Sequence, residues 1–122
     1  MMTIATLTDN LSVAASLNGW FKQYCELYQI NPSIMEFLTQ DELLEVSRTH
    51  RLDVIFVYLR GPEGFLHARR IHEDLPDSRM VFVADTTEYA VQCIRLHFTD
   101  YMVLPLEFKS FVRAMKLSGI GS

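Results

Sequence analysis

The chain has 122 residues, 49% of them hydrophobic, which is enough for one core and too little for two ordinary domains. Fifteen acidic against 11 basic residues give a formal charge of −4, and the lysines and arginines are scattered, so the electrostatic footprint of a nucleic-acid binder is missing. Cys25 and Cys93 match no metal or thioredoxin spacing, and there is no signal-peptide pattern or bilayer-length apolar run, so free thiols in a reducing, cytoplasmic setting are expected.

Residues 3–8 alternate loosely as a strand. Val13, Leu17, Trp20 with Phe21, Tyr24, and Leu27 with Tyr28 then recur at three and four residues, the stripe of a helix capped by Asp9 or Asn10 and ending before Asn31-Pro32. A short strand is predicted over 33–37. Thr39-Gln40-Asp41-Glu42 has the form of a capping box opening a helix over 40–50 that buries Leu43 and Val46. The alternation continues with a strand over 53–58, a helix over 64–74, a strand over 79–84, a helix over 87–97, a strand over 100–104 and a helix over 107–117. Residues 118–122, Ser-Gly-Ile-Gly-Ser, read as a linker stub or added tail, leaving 1–117 as the single domain.

Five strands, each followed by a helix, imply an α/β fold with a parallel sheet covered on both faces, because parallel neighbours need crossovers and crossovers are right-handed. For such a (βα)5 chain the order most often seen is 2-1-3-4-5, the doubly wound, flavodoxin-like three-layer sandwich, in which ligands bind at the carboxyl ends of the strands. Thr8, Asp9, Tyr58, Ala84 and Leu104 are therefore the decisive positions. The turn Thr8-Asp9-Asn10-Leu11-Ser12 lacks glycine, which argues against close approach of a nucleotide or flavin phosphate, and no cofactor is expected. His67 and His72 are five apart on a predicted helix and do not share a face, so no metal site is expected there.

Three runs carry a resemblance: Asp53-Val54-Ile55-Phe56-Val57-Tyr58, then Met80-Val81-Phe82-Val83-Ala84 leading into Thr87-Glu88-Tyr89-Ala90, and Asp100-Tyr101-Met102-Val103-Leu104-Pro105. Together they resemble the receiver domain of bacterial response regulators, the CheY-like superfamily, and most of all the receivers that precede a LytTR-type DNA-binding domain. The resemblance covers nearly the whole chain and implies where a phosphorylation site would lie. The phosphoacceptor aspartate falls at Tyr58, the acid pair at Thr8 and Asp9, the phosphate-binding hydroxyl at Ala84, and the lysine at Leu104. Pro62 is kept, but the loop to Gly64 is two residues shorter than the family's.

The resemblance thus implies a degenerate, non-phosphorylatable receiver. Phosphoryl transfer depends on positioned charge and on hard oxygen ligands for Mg²⁺, and only Asp9 survives of the groups that would supply them. A tyrosine hydroxyl, with an ordinary pKa of about 10, is a poor nucleophile without a base or cation nearby. Asp9 itself reads better as a helix cap than as a metal ligand. Tyr101 falls at the family's switch aromatic; with Ala84 in place of the neighbouring hydroxyl it is expected to lie inward permanently, and Leu104-Pro105 falls where the family uses a cis peptide. Tyr89, Arg95, Leu96, Lys109 and Arg113 are the expected interaction face. The implied role is a non-enzymatic docking or homodimerisation module, the regulatory part of a LytTR-type transcription regulator touching DNA only through a downstream domain. The alternatives are a stand-alone adapter or a flavodoxin-like small-molecule binder.

Overall fold

A computed structural model describes residues 2–121. Five strands, β1 (Thr3–Thr8), β2 (Ser33–Phe37), β3 (Val54–Tyr58), β4 (Arg79–Ala84) and β5 (Asp100–Val103), form one sheet in the order β2-β1-β3-β4-β5. Every neighbouring pair is parallel, with Thr8 beside Tyr58 and Ala84 beside Val103 at the carboxyl edge. Helices α1 (Leu11–Tyr28), α2 (Gln40–Ser47), α3 (Pro62–Asp74), α4 (Ala90–Arg95) and α5 (Phe108–Leu117) make the crossovers. This is the flavodoxin-like arrangement the alternation of patterns predicts.

Because both faces of the sheet are covered, strand residues of opposite parity feed two separate cores. Val54, Phe56 and Tyr58 of β3 join Phe21 and Tyr24 of α1 and Phe111 of α5; Ile55 and Val57 join Leu43, Phe65, Ala68 and Ile71 from α2 and α3. Phe111 anchors the first layer, with its ring centroid 5.1 Å from Phe21 and 6.0 Å from Phe56. Edge-to-face and offset pairs of this kind add to the burial energy of the rings.

Several element ends depart from the sequence pattern for local reasons. α2 stops at Ser47 rather than 50, where Ser47 Oγ donates to the Leu44 carbonyl and the amides of Thr49 and His50 both turn back to Val46. Thr39 caps α2 by accepting the Glu42 amide at 3.2 Å, but its hydroxyl, not its amide, engages the Glu42 carboxylate. α3 begins at Pro62, whose fixed φ suits a first helical position. α4 is six residues instead of the eleven expected over 87–97: Thr86 Oγ1 takes the Glu88 amide before it, and His97 turns left-handed (φ 60) after it. Gly64 is required by packing, since a Cβ there would lie 2.0 Å from the Leu59 carbonyl oxygen.

The segment expected to be a linker from 118 onward is instead part of the packed body as far as residue 121. Ser118 and Ile120 are buried, the Arg79 guanidinium donates to the Ser118 carbonyl, and Tyr24 donates its phenol hydrogen to the Ile120 carbonyl at 2.6 Å. Gly119 and Gly121 take positive φ (78 and 71), and a Cβ on Gly121 would press within 2.8 Å of the Tyr24 hydroxyl. Among the described residues no helix is long and apolar enough to cross a membrane.

Two predictions test this packing. Removing residues 118–122 uncovers the Ile120 site and strands the Tyr24 hydroxyl, so unfolding free energy in urea should fall by roughly 3–5 kcal/mol; a true linker would leave the midpoint unchanged. Burial also raises the Tyr24 phenol, and it raises the Cys93 thiol to about 11. Groups with raised folded pKa values bind protons more tightly when native, so their contribution is intact below the unfolded values and disappears as pH climbs through the folded ones. Denaturation at pH 7, 9 and 10.5 should show stability falling on the alkaline side.

Candidate functional site

The carboxyl edge of the sheet brings Thr8, Asp9, Tyr58, Ala84 and Leu104 to the ends of their strands, the edge where the fold binds ligands. Their chemistry is subdued. Tyr58 closes β3 at 5% exposure, within the apolar layer that includes Val13, Leu17 and Phe56. Ala84 is buried in the opposite layer with Phe82 and Cys93. Leu104 is half-buried against the first layer, and its amide donates to the Ala84 carbonyl at 2.8 Å. The Leu104-Pro105 peptide is cis, as expected.

Asp9 is exposed, and the cap expected of it is supplied by Asn10. Asn10 Oδ1 accepts the Val13 amide at 2.9 Å, while the Asn10 amide donates to Thr8 Oγ1 at 3.1 Å. Extended backbone at Asn10 places its short amide over the first turn of α1, where a side-chain oxygen best serves a free donor. Side chains of the protein therefore occupy two of the donors that a bound phosphate would use at this helix start. Among the described residues no group of three or more His, Cys, Asp or Glu side chains is assembled into a metal cage. His67 turns its Nδ1 to Gln40 Oε1, and His72 lies edge-on to Phe98 at 5.2 Å with its Nδ1 buried and unpartnered.

Tyr101 lies inward. Its ring stacks on Phe82 (6.0 Å between centroids, 22° between planes), and its hydroxyl donates to the Thr86 carbonyl in the loop between β4 and α4. Burial raises its phenol, with the nearby Cys93 adding to the effect, so it follows the alkaline trend of the core. The Ala84 methyl presents no hydrogen-bonding group to compete for that hydroxyl.

The expected interaction face is only partly surface. Tyr89 stacks on Phe65 at 5.0 Å and 7° and meets Phe82 edge-on, so it and the half-buried Leu96 are tied to the core rather than offered to a partner. Arg95 and Lys109 are exposed, as expected. Arg113 lies across β5, with Nε 3.1 Å from Asp100 Oδ2 and Nη2 3.4 Å from the Tyr101 carbonyl oxygen. The residues the sequence reading missed are Val91 and Ile94 of α4, 56% and 74% exposed. Two apolar stripes compete on that helix, Tyr89-Cys93-Leu96 and Val91-Ile94, and periodicity does not say which one turns inward. Ile94 also walls a groove over β5 that is lined by Cys93, Phe98, Tyr101 and Arg113.

No family model matches the sequence, and no curated protein matches it. Solved structures do match. A response regulator from Thermotoga maritima superposes with a TM-score of 0.77 at 15% identity, covering 98% of both chains. The response regulatory domain of protein mrkE from Klebsiella pneumoniae gives 0.75 at 19% identity over 97% of this chain and 96% of that one. The chemotaxis protein CheY4 of Vibrio cholerae gives 0.73 at 13% identity over 95% and 97%. Likeness at such low identity speaks for architecture, and the architecture is the CheY-like fold of response-regulator receiver domains.

Proposed function

We propose that this chain is a receiver domain of the two-component signalling type that has lost phosphoryl acceptance and works as a cytoplasmic protein-interaction module. The observation that carries this is the composition of the sheet's carboxyl edge: a phenol at the end of β3, a methyl at the end of β4, an isobutyl group after β5, and one exposed carboxylate at Asp9. None of Tyr58, Ala84 or Leu104 supplies the negative acceptor, small hydroxyl or cation that in-line phosphoryl transfer needs around its developing charge. With the donors at the start of α1 occupied by Thr8 and Asn10, a flavin or nucleotide phosphate is poorly served as well.

In this proposal the domain is not an enzyme and takes no cofactor. It is the regulatory part of a LytTR-type transcription regulator, a placement motivated by the run Thr87-Glu88-Tyr89-Ala90 and the later Asp100-Tyr101, and any DNA contact belongs to a separate domain. Its output is set by docking rather than phosphate. The Tyr101 hydroxyl bond to Thr86 and the Phe82 stack support a β4–α4 loop held in one pose without an external ligand. A ligand shifts a conformational equilibrium only by differential binding, and an edge that binds no phosphate has none to apply.

Incubation with Mg²⁺ and a small acyl phosphate at neutral pH, followed by intact mass spectrometry, should return the unmodified mass; phosphate on Tyr58 or a neighbour would overturn the proposal. The single substitution Tyr58→Asp should also stay unmodified, because Ala84 and Leu104 still lack the hydroxyl and the ammonium.

A further inference from the structure

β2 ends the sheet and pairs with β1 alone, so its outer side is an open edge. The Ser33 amide donates inward to the Met2 carbonyl at 2.9 Å, and the alternation of a strand carries that inward sense to Met35 and Phe37. Ile34 and Glu36 therefore turn both N–H and C=O away from β1, and both residues are exposed. Edge strands are commonly blunted by proline, lysine or a bulge. Ser33–Phe37 contains neither residue, and its register with β1 runs unbroken.

Two outward residues spaced two apart are complementary to themselves when reversed. We propose that β2 pairs antiparallel with β2 of a second copy of this chain about a two-fold axis at Met35, merging the two sheets into one. Ile34 then exchanges both backbone bonds with Glu36 of the other copy, and Glu36 with Ile34 of the other copy, as an isologous contact requires. Neighbouring registers serve worse. One centred on Glu36 sets like charges face to face, and one centred on Ile34 puts Glu36 opposite Pro32, which has no N–H to give.

The charges on α1 fit the same register. Asn18 Nδ2 donates to Glu36 Oε1 at 2.7 Å, which fixes the level of α1 against β2. Four residues of helix and two of strand each advance about 6–7 Å, so Lys22 stands at the level of Ile34, with which it lines one groove beside Phe21, Cys25 and Ile30. Because Ile34 of the other copy faces Glu36, Lys22 of the other copy comes over the Glu36 carboxylate, and the exchange happens twice. Among the described residues neither Lys22 nor Glu36 joins an ion pair within the chain. A contact confined to one five-residue strand and its groove falls below the roughly 1,200 Å² of stable interfaces, so the dimer is expected to be weak and in exchange.

The inference rests on the docking-module proposal and names its partner. Sedimentation velocity on the whole chain should show monomer giving way to dimer as concentration rises from low to high micromolar. Over the same range, hydrogen exchange read by NMR should slow at the Ile34 and Glu36 amides, while Met35 and Phe37, already bonded to β1, change little. Ile34→Pro removes an outward donor and no bond to β1, so it should abolish the dimer and keep the circular dichroism spectrum. Lys22→Glu and Glu36→Lys should each weaken association about tenfold, since each homodimer then carries two like-charge pairs, and the double variant should recover it. A wild type monomeric throughout, a dimer whose Ile34 and Glu36 amides stay fast, or charge variants that do not rescue each other overturns the pairing. A monomer that still refuses phosphate sinks the dimer alone; a dimer that accepts phosphate sinks the functional proposal alone.

Discussion

A central strand of a parallel sheet has no solvent-facing side, so every residue of β3 must be matched to a helix above or below it. All five, from Val54 to Tyr58, are buried. Parity then assigns each one: Val54, Phe56 and Tyr58 to the α1 and α5 layer, Ile55 and Val57 to the layer of α2 and α3. Phe111 meets Phe56 across the first layer at 6.0 Å, and Phe21 meets the same ring at 5.4 Å. With the faces used up by packing, chemistry is confined to the strand ends. Tyr58 is the last residue of an aromatic face as well as the residue at the sheet's carboxyl edge, and packing has claimed it.

With a ring at that position, its neighbours are constrained too. A lysine in the half-buried place of Leu104 would find no carboxylate at Tyr58 or Ala84 to face, and a hydroxyl in the buried place of Ala84 would need a hydrogen-bond partner. Leucine and alanine remove both difficulties. Thr8 and Asn10 consume donors at the start of α1 that a charged ligand would otherwise satisfy. The side chains at this edge are therefore consistent with one another, apolar groups set beside apolar groups.

The architecture was legible because it is written in period and punctuation. β1, β2 and β4 fall where the alternation and the Asn31-Pro32 break put them, and Leu43 and Phe111 are buried as their helical spacing requires. The side chains that end the strands are read directly from the sequence once the strands are placed. What sequence could not supply was the outcome of competitions between similar candidates. Asn10 and Asp9 are both good caps, and backbone direction chose Asn10. The tail Ser118-Gly119-Ile120-Gly121 has linker composition, yet a long-range partner, Tyr24, takes the Ile120 carbonyl. Tyr89 reads as a surface aromatic until Phe65 is placed beneath it at 5.0 Å.

α4 is where these competitions leave most freedom. It is bounded by the loop after β4 and by the left-handed His97, and it buries one thiol of its own. Its position is fixed from outside: by Tyr89 against Phe65, by Leu96 against the same layer, and by Tyr101 holding the Thr86 carbonyl at its approach. An element held by its ends is more sensitive to an added contact than one held by its whole length, because few buried contacts oppose local rearrangement. In a phosphate-driven switch such an element would answer to the chemistry at the strand ends. Val91 and Ile94, exposed on the outer side of α4, are the apolar groups at which an added contact would bear on its pose, and it could do so only by binding one pose better than another.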